Sequence, residues 1–207
     1  INNMIGAHKF AYKKLKEIGS QPVSMVFHMI DLDPANWIAS LVTHHLFRLI
    51  GYYVLRRSVK YCDYIGVNYY IYFKVGMFGR ILEHPSKHQA NYFGYPIKPK
   101  GLLHVLKYAG SFHKPIYITE NGIDDCNDEW RAQFIWKHLY YAHEAIAQGV
   151  DLRGYLYWSL MDNFEWADGY KPCFGVIEID IKNYLKRNIR ASALKYAEIC
   201  KNNFMEY

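Results

Sequence analysis

Apolar positions along the chain switch repeatedly between two periods. Ile5, Ala7, His8, Ala11, Tyr12 and Leu15 recur at helical spacing, and Gly19-Ser20 ends that run. Residues 22–28 then read as a short buried strand, 36–57 as a helical region, and 63–70 as a second strand, apolar at first and polar-aromatic at its end. Residues 72–100, punctuated by Gly76, Gly79, Pro85, Gly94, Pro96 and Pro99, predict a long loop, and loops of that length in compact domains commonly serve function. Helical spacing returns over 101–112, and 115–119 is a third strand closed by Glu120-Asn121-Gly122. A helix carrying Phe134, Ile135, Leu139, Ala142 and Ile146 runs to Gly149, and 152–158 is the fourth strand. A loop with Asp168-Gly169, a hairpin over 174–180 and a last helix over about 188–202 complete the pattern.

Helix and strand thus alternate four times, and the strands are near-continuous apolar runs of the kind found in parallel sheets covered by helices. Four such units are half of an eight-fold barrel. The expectation is an α/β fold of the (β/α)8 TIM-barrel type, of which residues 1–207 form about the last four βα units. The first residues already follow a helical pattern and Ile1 is not an initiator Met, which points to a half lying upstream.

Composition narrows the classes. The net charge of +6 is spread through the helical stretches without a long run, which argues for a solvated face and against a nucleic-acid surface. No segment has the length and apolarity of a membrane span, and the first residues lack the order of a signal peptide. The four cysteines, Cys62, Cys126, Cys173 and Cys200, form no CxxC pair, so neither a zinc site nor a disulfide framework is expected, and a reducing, cytoplasmic setting fits. Neither His44-His45 nor His84/His88 makes a convincing ligand set, and no glycine-rich phosphate loop is present, so no metal and no cofactor are expected.

The unusual polar residues fall just after strands: Asn68 and Tyr70, Glu120 and Asn121, then Trp158, Asp162, Asn163, Glu165 and Trp166. In a parallel α/β barrel those strand ends share one face, where side chains from separate strands converge. Any one of them taken alone is as well explained by capping of the following helix. Asp31 and Asp33, after the first strand, read as loop or cap residues.

Three motifs carry a resemblance. Ile118-Thr119-Glu120-Asn121-Gly122, Gly66-Val67-Asn68-Tyr69-Tyr70 and Trp158-Ser159-Leu160-Met161-Asp162-Asn163-Phe164-Glu165-Trp166 occur in the order found in the family-1 glycoside hydrolases, which the chain resembles over essentially its whole length. The resemblance implies hydrolysis of β-linked glucosides or related glycosides with retention. Glu120 would be the nucleophile that forms a glycosyl-enzyme intermediate, and Tyr70 the tyrosine that orients it. Asn68 would line the pocket, Trp158 would floor the sugar ring, and Glu165 and Trp166 would recognise outer hydroxyls of the glycone. Phe174 would sit at the pocket edge, and Tyr95 where the family often has an aglycone-lining Trp. Cys173 replaces the family's usual Arg before Phe-Gly, a change expected to weaken packing of the last loop.

A retaining enzyme of this kind needs a second carboxyl about 5–5.5 Å from the nucleophile, which the family carries in an Asn-Glu-Pro motif. No Asn-Glu-Pro occurs in this sequence. A half-barrel would also leave two open sheet edges. Three arrangements answer that: a fragment, a split enzyme completed by an N-terminal half, or self-association. The alternative function is a carbohydrate-binding or assembly half-barrel without turnover.

Overall fold

The computed structural model describes residues 1–40, 52–76 and 97–205. Tyr95, His44-His45 and His84/His88 lie outside the described residues.

At the centre is a parallel four-stranded sheet in the order β1 (Val26–His28), β3 (Ile65–Asn68), β5 (Ile116–Asn121), β6 (Leu152–Tyr157). Alternation along each strand divides its side chains between two faces. Phe27, Ile65, Val67, Ile116 and Ile118 point to one face and are at most 6% exposed. They pack with Leu102, Val105, Leu106 and Ala109 of α3 (Pro99–Gly110) and with Ala142 and Ala145 of α4 (Arg131–Ala147). Each fully buried Ile or Val contributes roughly 1.5–3 kcal/mol relative to exposure. Gly66 and Gly154 share the other face with Val26, Thr119 and Tyr117: a Cβ on Gly66 would meet Val26 at 3.0 Å and Thr119 at 3.2 Å, and one on Gly154 would meet Tyr117 at 2.9 Å. That inner face is uncovered: Val26 is 47% and Leu156 58% exposed. Among the described residues β1 pairs only with β3 and β6 only with β5, so both edges of the sheet are open.

The remaining elements frame this sheet. α1 (Asn2–Ile18) buries none of its residues and is held by side-chain ties to the segment before β3: His8 Nε2 to the Tyr61 carbonyl at 2.8 Å, and Tyr12 Oη to Asp63 at 2.9 Å. The Lys16 ammonium beside Asp63 holds that carboxyl down at about 2. α2 (Tyr53–Ser58) runs alongside α1. After β6, an antiparallel hairpin of β7 (Ile177–Asp180) and β8 (Lys186–Ile189) leads to α5 (Ala191–Asn202), which ends on Asn203 in the left-handed conformation.

Three expectations need correction. Tyr72–Val75 is not loop but strand β4, paired in parallel with β2 (Asp31–Pro34). Asp31 and Asp33 are therefore strand residues: Asp31, only 4% exposed, takes Lys98 at 3.0 Å and His104 at 3.1 Å, and Asp33 takes the same Lys98 at 2.9 Å. Pairing across some forty residues is invisible to local turn chemistry. The cysteines, third, do form a disulfide, Cys126 to Cys173. Wide sequence spacing says nothing of spatial proximity, and the argument from cysteine usage to a reducing compartment loses its premise. Cys62 and Cys200 are free.

Candidate active site

Strict alternation from Ile116 and Ile118 would send Glu120 into the core beneath α3 and α4. It does not go there, because the β3–β5 register slips: Val67 faces Ile118, but Asn68 faces Glu120. The extra residue, Thr119, turns its hydroxyl to the Asn68 carboxamide oxygen at 2.7 Å, and the bulge re-aims Glu120 to the carboxyl end of the sheet. There Tyr70, two residues past β3, donates its phenolic proton to Glu120 Oε2 at 2.9 Å. Among the described residues no hydrogen bond reaches Glu120 Oε1.

Asn121 locks this end in place. Its side chain is fully buried, donates to the Tyr69 carbonyl at 2.7 Å and accepts from Tyr155 Oη at 2.8 Å, so three neighbouring strands are joined behind Glu120. Burial raises the Tyr70 phenol well above its ordinary value, and the charges of Glu120 and, more weakly, Glu165 raise it further. Tyr70 is consequently a permanent proton donor to the carboxylate. Its ring stands edge-on to Phe174 at 6.4 Å and tilted to His28 at 6.0 Å. Phe174 is 4% exposed and supports Tyr70 from behind, offering little surface of its own.

The third motif forms the adjoining wall. The half-buried Trp158 donates its indole N–H to Glu165 Oε1 at 3.1 Å, and Asn163 donates to the same oxygen at 2.7 Å. Among the described residues Glu165 Oε2 receives no hydrogen bond, which leaves a charged acceptor at the rim. The peptide bond after Trp158 is cis. Trp166 stands 87% exposed in a single helical turn, Trp166–Asp168. Asp162 faces the other way: it accepts both prongs of Arg190 at 2.9 Å each and the Gly175 amide at 2.8 Å, and so fastens the wall to the hairpin.

Sequence reasoning missed two clamps. Arg131, in the first turn of α4, has no exposed surface; it holds the Asp125 and Cys173 carbonyls at 2.6 and 2.7 Å, Tyr157 Oη at 3.0 Å, and Asp128. Nothing in a helix-start arginine separates it from a solvated one. The second is the disulfide beside it. Cys173, expected to weaken the last loop, instead ties it, through sulfur to Cys126 and through its amide to the Asp124 carboxylate at 2.5 Å. Asp124 is raised above the usual carboxylate range chiefly by burial.

A parallel sheet with one bulge-aimed carboxylate, a tyrosine donor and indole surfaces at its carboxyl end gathers polar chemistry where α/β barrels carry their sites. Residues 60–205 match the sequence model of glycosyl hydrolase family 1, and the chain belongs to that family. A β-galactosidase from Saccharolobus solfataricus is 34% identical across 97% of this chain and 47% of its own length. The crystal structure of a β-glucosidase from Pyrococcus furiosus superposes with a TM-score of 0.91 at 32% identity, covering 99% of this chain and 46% of that one. A β-glucosidase from Thermotoga maritima in complex with deoxynojirimycin superposes with a TM-score of 0.82 at 28% identity, covering 99% of this chain and 56% of that one. The chain spans about half the length of the relatives it matches, and its four-stranded parallel sheet is part of an α/β barrel.

Proposed function

We propose that this chain supplies the nucleophile side of a retaining β-glycosidase acting on β-glucosides or closely related glycosides. One observation supports the reading above the rest: Glu120 has one oxygen held by Tyr70 at 2.9 Å and the other free of donors among the described residues. A carboxylate so held is aligned, with a lone pair available for the anomeric carbon. Attack would break the glycosidic bond and form a glycosyl ester on Glu120, and water would later release the sugar with its configuration kept. Glu165, whose Oε2 faces no donor among the described residues, would accept hydroxyl protons of the glycone with Trp166 beside it, and the Trp158 ring would cover the C–H face.

Protonation of the leaving oxygen calls for a second carboxyl, and the sequence holds no Asn-Glu-Pro to provide it. The open edges of β1 and β6, together with the roughly half-length match to whole glycosidases, favour an N-terminal half of the same fold as the partner that closes the barrel and brings the acid. A second copy of this chain could pair the edges but would bring a second Glu120 and no acid.

The test uses a 2-deoxy-2-fluoro-glucosyl fluoride, which traps the ester. With a family-1 N-terminal half added, mass spectrometry should find the sugar on the peptide containing Glu120, and Glu120→Gln should abolish it. Binding of deoxynojirimycin without any labelling in the closed barrel would favour the non-catalytic sugar-binding reading and overturn this one.

A further inference from the structure

Cys126 and Cys173 lie 47 residues apart and join two segments that border Glu120 from different strands. Cys126 is exposed on the turn that follows β5; Cys173 directly precedes Phe174. Between these segments the contacts are concentrated on Cys173. Its carbonyl takes the Asp125 amide at 3.1 Å and the Arg131 guanidinium at 2.7 Å, its amide goes to Asp124, and its sulfur goes to Cys126. From there the path to the site is short. Phe174 is 4% exposed against Tyr70, its carbonyl takes the Ser159 amide at 3.2 Å beside Trp158, and Tyr70 holds Glu120.

We propose that the Cys126–Cys173 disulfide is a redox-operated clasp on the pocket wall: closed, it holds the Phe174 strip against the segment that extends from Glu120, and its reduction loosens Phe174 and the Tyr70 ring it supports. With the covalent tie gone, the two thiols move apart and the segments are held across the gap by hydrogen bonds alone. The hydrogen bonds from Asp124, Asp125 and Arg131 cross the same gap, and they lengthen when it opens. The turn at Cys126 is the exposed partner and the side that yields first; Asp128 on that turn also holds the Ser192 amide at 2.9 Å, at the start of α5.

The chemistry needs a dithiol reductant. Its first thiolate attacks the exposed Cys126 sulfur and expels Cys173 as thiolate, which takes up a proton. Its second thiolate then resolves the mixed disulfide and releases Cys126. Two electrons and two protons pass to the protein, and the reductant leaves as a cyclic disulfide.

The experiment uses the full chain and no turnover, so its outcome is separate from that of the glycosidase reading, on which only the functional meaning of the clasp rests. Alkylation after denaturation without reductant should modify two cysteines, Cys62 and Cys200, and after dithiothreitol all four. Amide hydrogen exchange over 122–128 and 171–176 should then rise at least tenfold in the reduced chain, return on reoxidation, and stay unchanged in α3. The Cys126→Ser/Cys173→Ser double variant should exchange like the reduced chain and ignore dithiothreitol. Four modifiable thiols without reductant would overturn the proposal. So would equal exchange in both redox states, or a rise in α3 as large as that beside the site. The wild-type reduction and reoxidation cycle decides the matter even if the double variant fails to fold.

Discussion

Replacing Tyr70 by Phe removes one oxygen and keeps the ring that meets Phe174 and His28. What is lost is a single O–H to carboxylate bond of 2.9 Å. A hydrogen bond to a charged group is worth about 1.5–3 kcal/mol. The bond acts by holding Glu120 with its other oxygen aimed for attack, and where that alignment is lost the whole energy appears in rate, roughly 10- to 150-fold. Because burial and the Glu120 charge keep the Tyr70 proton on well beyond its ordinary range, the loss should be uniform from pH 5 to 9. The assay is the rate of labelling by the fluoro-sugar in a closed barrel, wild type against Tyr70→Phe, with unfolding midpoints measured alongside. Glu120 is half-buried, so water can replace the missing donor and the unfolding free energy should change by about 1 kcal/mol or less. A labelling rate within twofold of wild type would refute the reasoning, as would a loss confined to one end of the pH range.

Three stability predictions concern the surroundings. His138 on α4 is buried, donates its Nδ1–H to the Phe134 carbonyl at 2.8 Å, and is pulled down to about 4 by burial. The folded state therefore refuses a proton that the unfolded chain takes near pH 6.5. The contribution is intact above that value and fades as the pH falls from 6.5 towards 4, reaching about 3 kcal/mol. Urea midpoints for His138→Leu should lose that part of the acid dependence, and an unchanged slope would show that His138 does not cause it. Gly122→Ala would set a Cβ 1.9 Å from the Trp158 carbonyl oxygen, a backbone atom that cannot swing aside. Overpacking against backbone should cost about 2–3 kcal/mol or more. Gly6→Ala in α1, with nothing within 4 Å, should be neutral or stabilising by roughly 0.5–1 kcal/mol; equal denaturation curves for the two variants would contradict this.

The sequence made the alternation of helices and strands legible because each strand is buried on one face by helices and keeps a near-continuous apolar run. Ile65, Val67, Ile116 and Ile118 announced themselves that way. The residues at the strand ends were legible too, since Asn68, Tyr70, Glu120 and Trp158 stand where apolar runs stop. Less was legible wherever a residue's role depends on a distant partner. Asp31 read as a loop or cap residue until Lys98 and His104 stood beside it, and nothing local to Asp162 announced its pairing with Arg190. Arg131 and Cys173 carry no local signal of burial or bonding at all.

The amino-acid order alone thus determined the fold class and which strand ends bear polar chemistry, because burial period and turn residues are local properties of a chain. Only the tertiary structure decided the direction of Glu120. A one-residue slip between β3 and β5 reverses which face a side chain takes, and that slip is set by pairing between strands some fifty residues apart.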